Sequence, residues 1–213
     1  MSLEEPPDCD VNPFKLAATG NVRQLRSVLA HNDGSFPTIN QRDAFGCTCL
    51  AWAARNGHLD VAEFLISQGA DVECVTFGGL RALHHAVNHG RVALAERLLE
   101  LGALADTQDE CGSTPLHFAA SRGIFKQIDA LLSAGAQVNA MNSQRKTPLM
   151  KACNAGHLVA VETLIRHGAN ANQVDALGDT AMQIAVRGSH RDIEDYLMSP
   201  ECKECSSVLS LKE

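Results

Sequence analysis

Residues 109–141 read DECGSTPLHFAASRGIFKQIDALLSAGAQVNAM, and the pattern returns along the chain at intervals of 33 residues. Leu50, Leu83, Leu116, Leu149 and Met182 form one row, and Gly57, Gly90, Gly123 and Gly156 form another. A third row is a Gly-Ala pair starting at Gly69, Gly102, Gly135 and Gly168. A unit this short cannot bury its apolar face alone, so neighbouring units must supply the core to one another. The 213 residues therefore predict a one-dimensional stack in place of one or two globular domains.

Each unit carries its own punctuation. Glycine stands in the opening turn at Gly46, Gly79, Gly112 and Gly178, where a positive φ would cost another residue. The fifth unit has Arg145 there, and its turn is expected to differ. Pro115 and Pro148 fall in the first turn of a helix, where a missing N–H costs little. Val61, Leu65 and Ile66, then Leu94, Leu98 and Leu99, then Ile128, Leu131 and Leu132 recur at helical spacing on one face and read as core. The Gly-Ala pairs close that second helix. Regular units run over 43–75, 76–108, 109–141, 142–174 and 175–198, after a degenerate one that begins near Asn12-Pro13. The stretch 30–38, AHNDGSFPT, reads as an inserted surface loop. Arg191, Asp192, Glu194 and Asp195 give the last unit the charged face of a cap.

Thr114-Pro115-Leu116-His117 followed by Ala119-Ala120, and Thr147-Pro148-Leu149 one unit later, resemble the ankyrin repeat family, which has this period and a T-P-L-H-x-A core. The resemblance covers residues 12–199. It implies an all-α ankyrin repeat solenoid of about six helix-turn-helix units joined by β-hairpin loops. Residues 1–11 are expected to be an acidic disordered tail and residues 200–213 a flexible one. In function it implies a non-catalytic protein–protein interaction module, an adaptor, scaffold or stoichiometric inhibitor. Its concave face would be built from the hairpin tips and the exposed side of each first helix.

Composition narrows the classes. Hydrophobic residues make up 45% and aromatics only 4%, as suits a core of Ala, Leu and Val between short helices. The net charge of −7 opposes a general nucleic-acid binder, which needs a basic face. With no long apolar run and no resemblance to a signal peptide, neither a membrane span nor secretion is expected. A cytoplasmic protein, also nuclear, is the expectation, and its eight cysteines are read as reduced thiols. Cys153, in the row of Ala54, Val87, Ala120 and Val186, reads as a small core residue.

In the family register, Phe45 and Phe77 occupy hairpin tips where the matching residues are mostly small or polar. With Val75 and Leu80 they predict an apolar patch at the second and third units. Trp52 shares a row with His85, Phe118, Lys151 and Ile184; it is either a second anchor or a ring filling space between helices. Arg55, His89, Arg122 and Lys146, with Lys151 and Arg187, put positive charge on an otherwise acidic molecule. The partner expected is an extended or helical segment of another protein carrying apolar and acidic residues, met by a monomer. Arg81 stands where Thr48, Thr114, Thr147 and Thr180 would cap a helix. Drift that weakens the third unit is the first reading; placement opposite a carboxylate is the alternative.

No catalytic residue, cofactor or metal site is expected. His85 and His89 have a metal-binding spacing but no third ligand, and Ala86 stands where a zinc protease has glutamate. Cys202 and Cys205 form a lone C-x-x-C. Cys47, Cys49 and Cys111 are read as accessible hairpin thiols, which leaves a metal or redox sensor as the rival function, with a self-associating assembly component as a third. The resemblance also marks Asn139 and Asn172 as positions that an asparaginyl hydroxylase modifies in similar proteins; a turn asparagine bonding locally is the plainer reading.

Overall fold

Each unit folds into two short helices joined by a tight turn. The computed structural model describes residues 12–30 and 38–199. The expectations for residues 1–11 and 200–213, the C-x-x-C pair and nearly all of the inserted loop lie outside the described residues. The first helices of the units are α1 (Pro13–Thr19), α3 (Cys49–Asn56), α5 (Ala82–Asn88), α7 (Pro115–Arg122), α9 (Pro148–Ala155) and α11 (Ala181–Arg187). The second helices are α2 (Val22–Ala30), α4 (Leu59–Ser67), α6 (Val92–Glu100), α8 (Phe125–Ser133), α10 (Leu158–Arg166) and α12 (Arg191–Met198). Strand is nearly absent among the described residues: one isolated bridge pairs Val174 with Thr180, so the hairpins are turns without ladders.

Helix ends follow from local chemistry. The hydroxyls of Thr48, Thr147 and Thr180 accept the N–H groups of Ala51, Met150 and Gln183 at 3.1, 3.3 and 3.3 Å, satisfying donors the helix leaves orphaned. After α4, Gly69 N–H bonds to Ile66 O and Ala70 N–H to Leu65 O, each at 3.0 Å, with Gly69 at φ 89°. That paired closure explains why glycine and alanine stand together there.

The first helices pack in succession to form an inner layer and the second helices line an outer one. Small buried residues, among them Ala53, Ala86, Ala119, Ala152 and Ala185, fill the inner contacts. Between the layers sit Leu65, Leu98, Leu131 and Leu164, all essentially inaccessible. Small side chains let the inner helices approach more closely than the outer ones, so the stack bends with its inner layer on the concave side. His84 and His117 tie units together, their Nε2 atoms lying 3.3 Å from Ser113 O and 2.9 Å from Lys146 O.

Candidate functional site

Asp43 builds the second tip. Its Oδ1 accepts the N–H groups of Phe45 and Cys47, both at 2.9 Å, and the same clasp recurs at Asp109, Asn142 and Asp175. The third tip lacks it. Thr76 is too short to span the turn; its hydroxyl donates to Leu80 O at 2.9 Å and lies 3.0 Å from His85 Nε2. The chain then makes a single 3-10 turn over Phe77–Gly79, with Gly78 and Gly79 at φ 78° and 76°. Phe77 N–H bonds back to Gly46 O at 3.2 Å, which places the second and third tips side by side.

Between them lies an open groove of about 360 Å³, lined by Phe45, Cys47, Trp52, Arg55, Phe77, Leu80 and His85. Phe45 is 75% exposed and Phe77 81%. These rings do not fold back onto their own hairpins. Trp52 is half-buried against the core, with Phe45 edge-on to it at 6.4 Å and the Arg55 guanidinium 5.3 Å from its ring centre. The indole therefore packs against the core on one part and lines the groove with another.

Five residues proposed from sequence, Phe45, Trp52, Arg55, Phe77 and Leu80, meet around this one groove. The other five lie elsewhere. Val75 is half-buried in the preceding turn. His89 caps α5, its Nδ1 3.0 Å from His85 O. Arg122 reaches Asn88 Oδ1 at 3.2 Å, and Lys146 donates its backbone N–H to Asn142. Arg81 Nε lies 3.0 Å from Glu73 Oε2, an ion pair not aligned as a hydrogen bond, while its Nη1 donates to Gln108 O at 3.2 Å. Arg81 thus meets a carboxylate, and drift without compensation is corrected.

Cys47 and His85 also line the groove, although neither was among the partner-binding residues proposed from sequence. The signal for His85 was its place in the Trp52 row; Cys47 lies two positions beyond Phe45, on the same side of the turn. Burial first, and then the neighbouring His89, His84 and Arg55, push the His85 pKa down to about 4. Cys47 and Cys49 were expected to be accessible, yet both are buried. Burial and then the Asp43 charge raise both thiols, Cys49 to about 12, which opposes thiolate chemistry. Cys111 is exposed, and Cys153 is fully buried as core. No group of three metal-ligating side chains occurs among the described residues. Asn139 Oδ1 accepts Asn170 N–H at 2.8 Å and its Nδ2 donates to Gly168 O at 3.2 Å, a turn-linking role. Asn40 and Asp106 make matching bonds to Asp71 N and Gln137 N.

Comparison with known proteins matches three family models: "Ankyrin repeats (3 copies)" over residues 128–207, "Ankyrin repeats (many copies)" over 83–128 and "Ankyrin repeat" over 45–77. The chain is 35% identical over 71 residues to the NAD-capped RNA hydrolase NUDT12 of Homo sapiens, covering 33% of this chain and 15% of that protein. It is 32% identical over 63 residues to Ankyrin repeat domain-containing protein 40 of Homo sapiens, covering 30% and 16%. The chain matches only about a sixth of the length of these relatives, and the likeness to the hydrolase, confined to repeats, says nothing of catalysis.

Proposed function

The chain belongs to the ankyrin repeat family, and on that premise we propose that it is a non-catalytic recognition module whose principal site is the groove between its second and third tips. Ankyrin repeats indicate protein interaction; the role here is that of adaptor, scaffold or stoichiometric inhibitor, performed by a monomer in the cytoplasm or nucleus. The partner inserts apolar side chains of an extended or helical segment between Phe45 and Phe77. The observation that carries this reading is the pairing of two phenyl rings, 75% and 81% exposed, across an apolar groove. Such a patch on a soluble surface marks an interaction site. Covering each ring contributes about 1.5–3 kcal/mol, enough together for roughly a hundredfold or more in affinity.

The test is affinity capture from cell lysate with mass-spectrometric identification, run in parallel on the wild type and Phe45→Ala/Phe77→Ala. Partners should be lost with the variant while its helical circular dichroism and melting stay unchanged. An identical set of captured proteins would reject the groove as the site.

A further inference from the structure

Charge in this molecule is sorted by layer. The inner helices carry Lys15, Arg55, Arg122, Lys151 and Arg187 and no Asp or Glu. Every carboxylate within the twelve helices lies in the outer layer, on α4, α6, α8, α10 and α12. A chain of net charge −7 thus presents cations along its concave side.

Ion pairs hold some of the cations and not others. Arg97 is held by Glu63 and Glu100, Arg81 by Glu73, and Arg187 by Asp179. Arg55, Arg122 and Lys151 have no carboxylate at ion-pair distance among the described residues. Asp43 and Asp109, in the turns beside these helices, are occupied by backbone N–H groups of their own tips. Glu110 at the fourth tip and Arg145 at the fifth are both exposed. A row of uncompensated cations leading away from an apolar groove complements one kind of ligand.

Resting on the reading of the groove as a docking site, we infer that the partner segment is extended and acidic, with an apolar anchor at the second and third units and carboxylates running toward Arg122 and Lys151. Its spacing follows from geometry. Packed helices lie about 8–10 Å apart, so two units span roughly 16–20 Å and three roughly 24–30 Å. At about 3.3 Å per residue, the carboxylates fall about five to six and about seven to nine positions from the anchor. The track ends at the fifth unit, because Arg187 in the sixth is already paired with Asp179.

The experiment is a low-salt NMR titration of the full chain with synthetic decapeptides. Each bears a Leu-Trp anchor at one end and three glutamates toward the other, in both chain orders, beside counterparts with glutamine for glutamate. The acidic peptide in one order should shift the amides of Phe45, Trp52 and Phe77 together with those of Arg122 and Lys151. It should bind about tenfold more tightly than its glutamine counterpart, and Arg122→Gln/Lys151→Gln should remove that difference. Equal binding of acidic and neutral peptides overturns the charge inference and leaves the groove standing. No shift at Phe45, Trp52 or Phe77 with any peptide overturns the groove reading itself. A single-stranded oligonucleotide that shifts Arg122 and Lys151 and outcompetes the acidic peptide would reassign the cations to nucleic acid.

Discussion

The indole Nε1 of Trp52 donates to Asp43 Oδ2 at 2.7 Å, while the other oxygen of that carboxylate holds the tip that carries Phe45. One side chain therefore fixes both aromatic groups that the second unit brings to the groove. Asp43→Ala should lower stability by about 1–3 kcal/mol, because it strands part-buried donors. It should also red-shift the emission of Trp52, the single tryptophan. Urea unfolding and fluorescence of the free protein check both; an unmoved spectrum would mean that packing alone holds the ring.

Arg145 adopts φ 57° and donates its N–H to Asn142 O at 2.8 Å, as Gly46 does to Asp43 O at 2.9 Å. The fifth turn was expected to differ; it keeps the common left-handed geometry, held by the Asn142 clasp despite the cost of a Cβ there. Arg145→Gly should raise stability by up to about 1 kcal/mol, read as a higher urea midpoint. No gain would show that the arginine side chain makes compensating contacts.

Gln127 belongs to the row of Val28, Val61, Leu94, Ala160 and Ile193, and like them it is buried. Neither of its amide atoms has a hydrogen-bond partner among the described residues. Leucine has similar volume and suits such a site, so Gln127→Leu should stabilise by about 1–3 kcal/mol. Thermal and chemical unfolding measure this, and a loss of stability would reveal a hidden partner, such as a bound water, for the amide.

Stability should fall as the pH drops below neutrality. Burial pushes the His84 pKa down to about 4 and lowers that of His117. Nδ1 of each accepts a backbone N–H, from Arg81 at 3.3 Å and Thr114 at 3.1 Å, so the folded form requires neutral rings. The unfolded chain binds these protons from about pH 6.5 downward, whereas in the folded chain His84 binds its own only near pH 4 and the His117 pKa is lowered as well. Protons thus favour unfolding between those values, by a few kcal/mol at most for His84. Unfolding curves at pH 7, 5.5 and 4.5 test it, with His84→Gln expected to flatten the trend.

The fold was legible because helix caps, Gly-Ala closures and the apolar rows are set by residues within one unit or at a fixed separation from it. Where the reading failed, a partner distant in sequence decided. Arg81 looked like a lost cap because Glu73 and Gln108, which it meets, belong to neighbouring turns. Cys47 and Cys49 flank a hairpin, which predicts exposure, yet both are buried. Arg145 misled for another reason: the clasp from Asn142 enforces the turn more strongly than the side chain at its corner opposes it. Phe45, Trp52 and Phe77 stood out from small or polar neighbours, but only the altered third tip set by Thr76 explains how Phe77 comes to face Phe45.

The bonds from Asn40 to Asp71, Asp106 to Gln137 and Asn139 to Asn170 each span 31 positions, one unit and no more. No contact of this kind has to wait for distant ends of the chain to meet, which makes the molecule a low-contact-order folder. Assembly can begin at any adjacent pair of units and spread outward like a zipper. A defect in the third unit would then halt that spread midway, leaving two short stacks that fold on separate timetables.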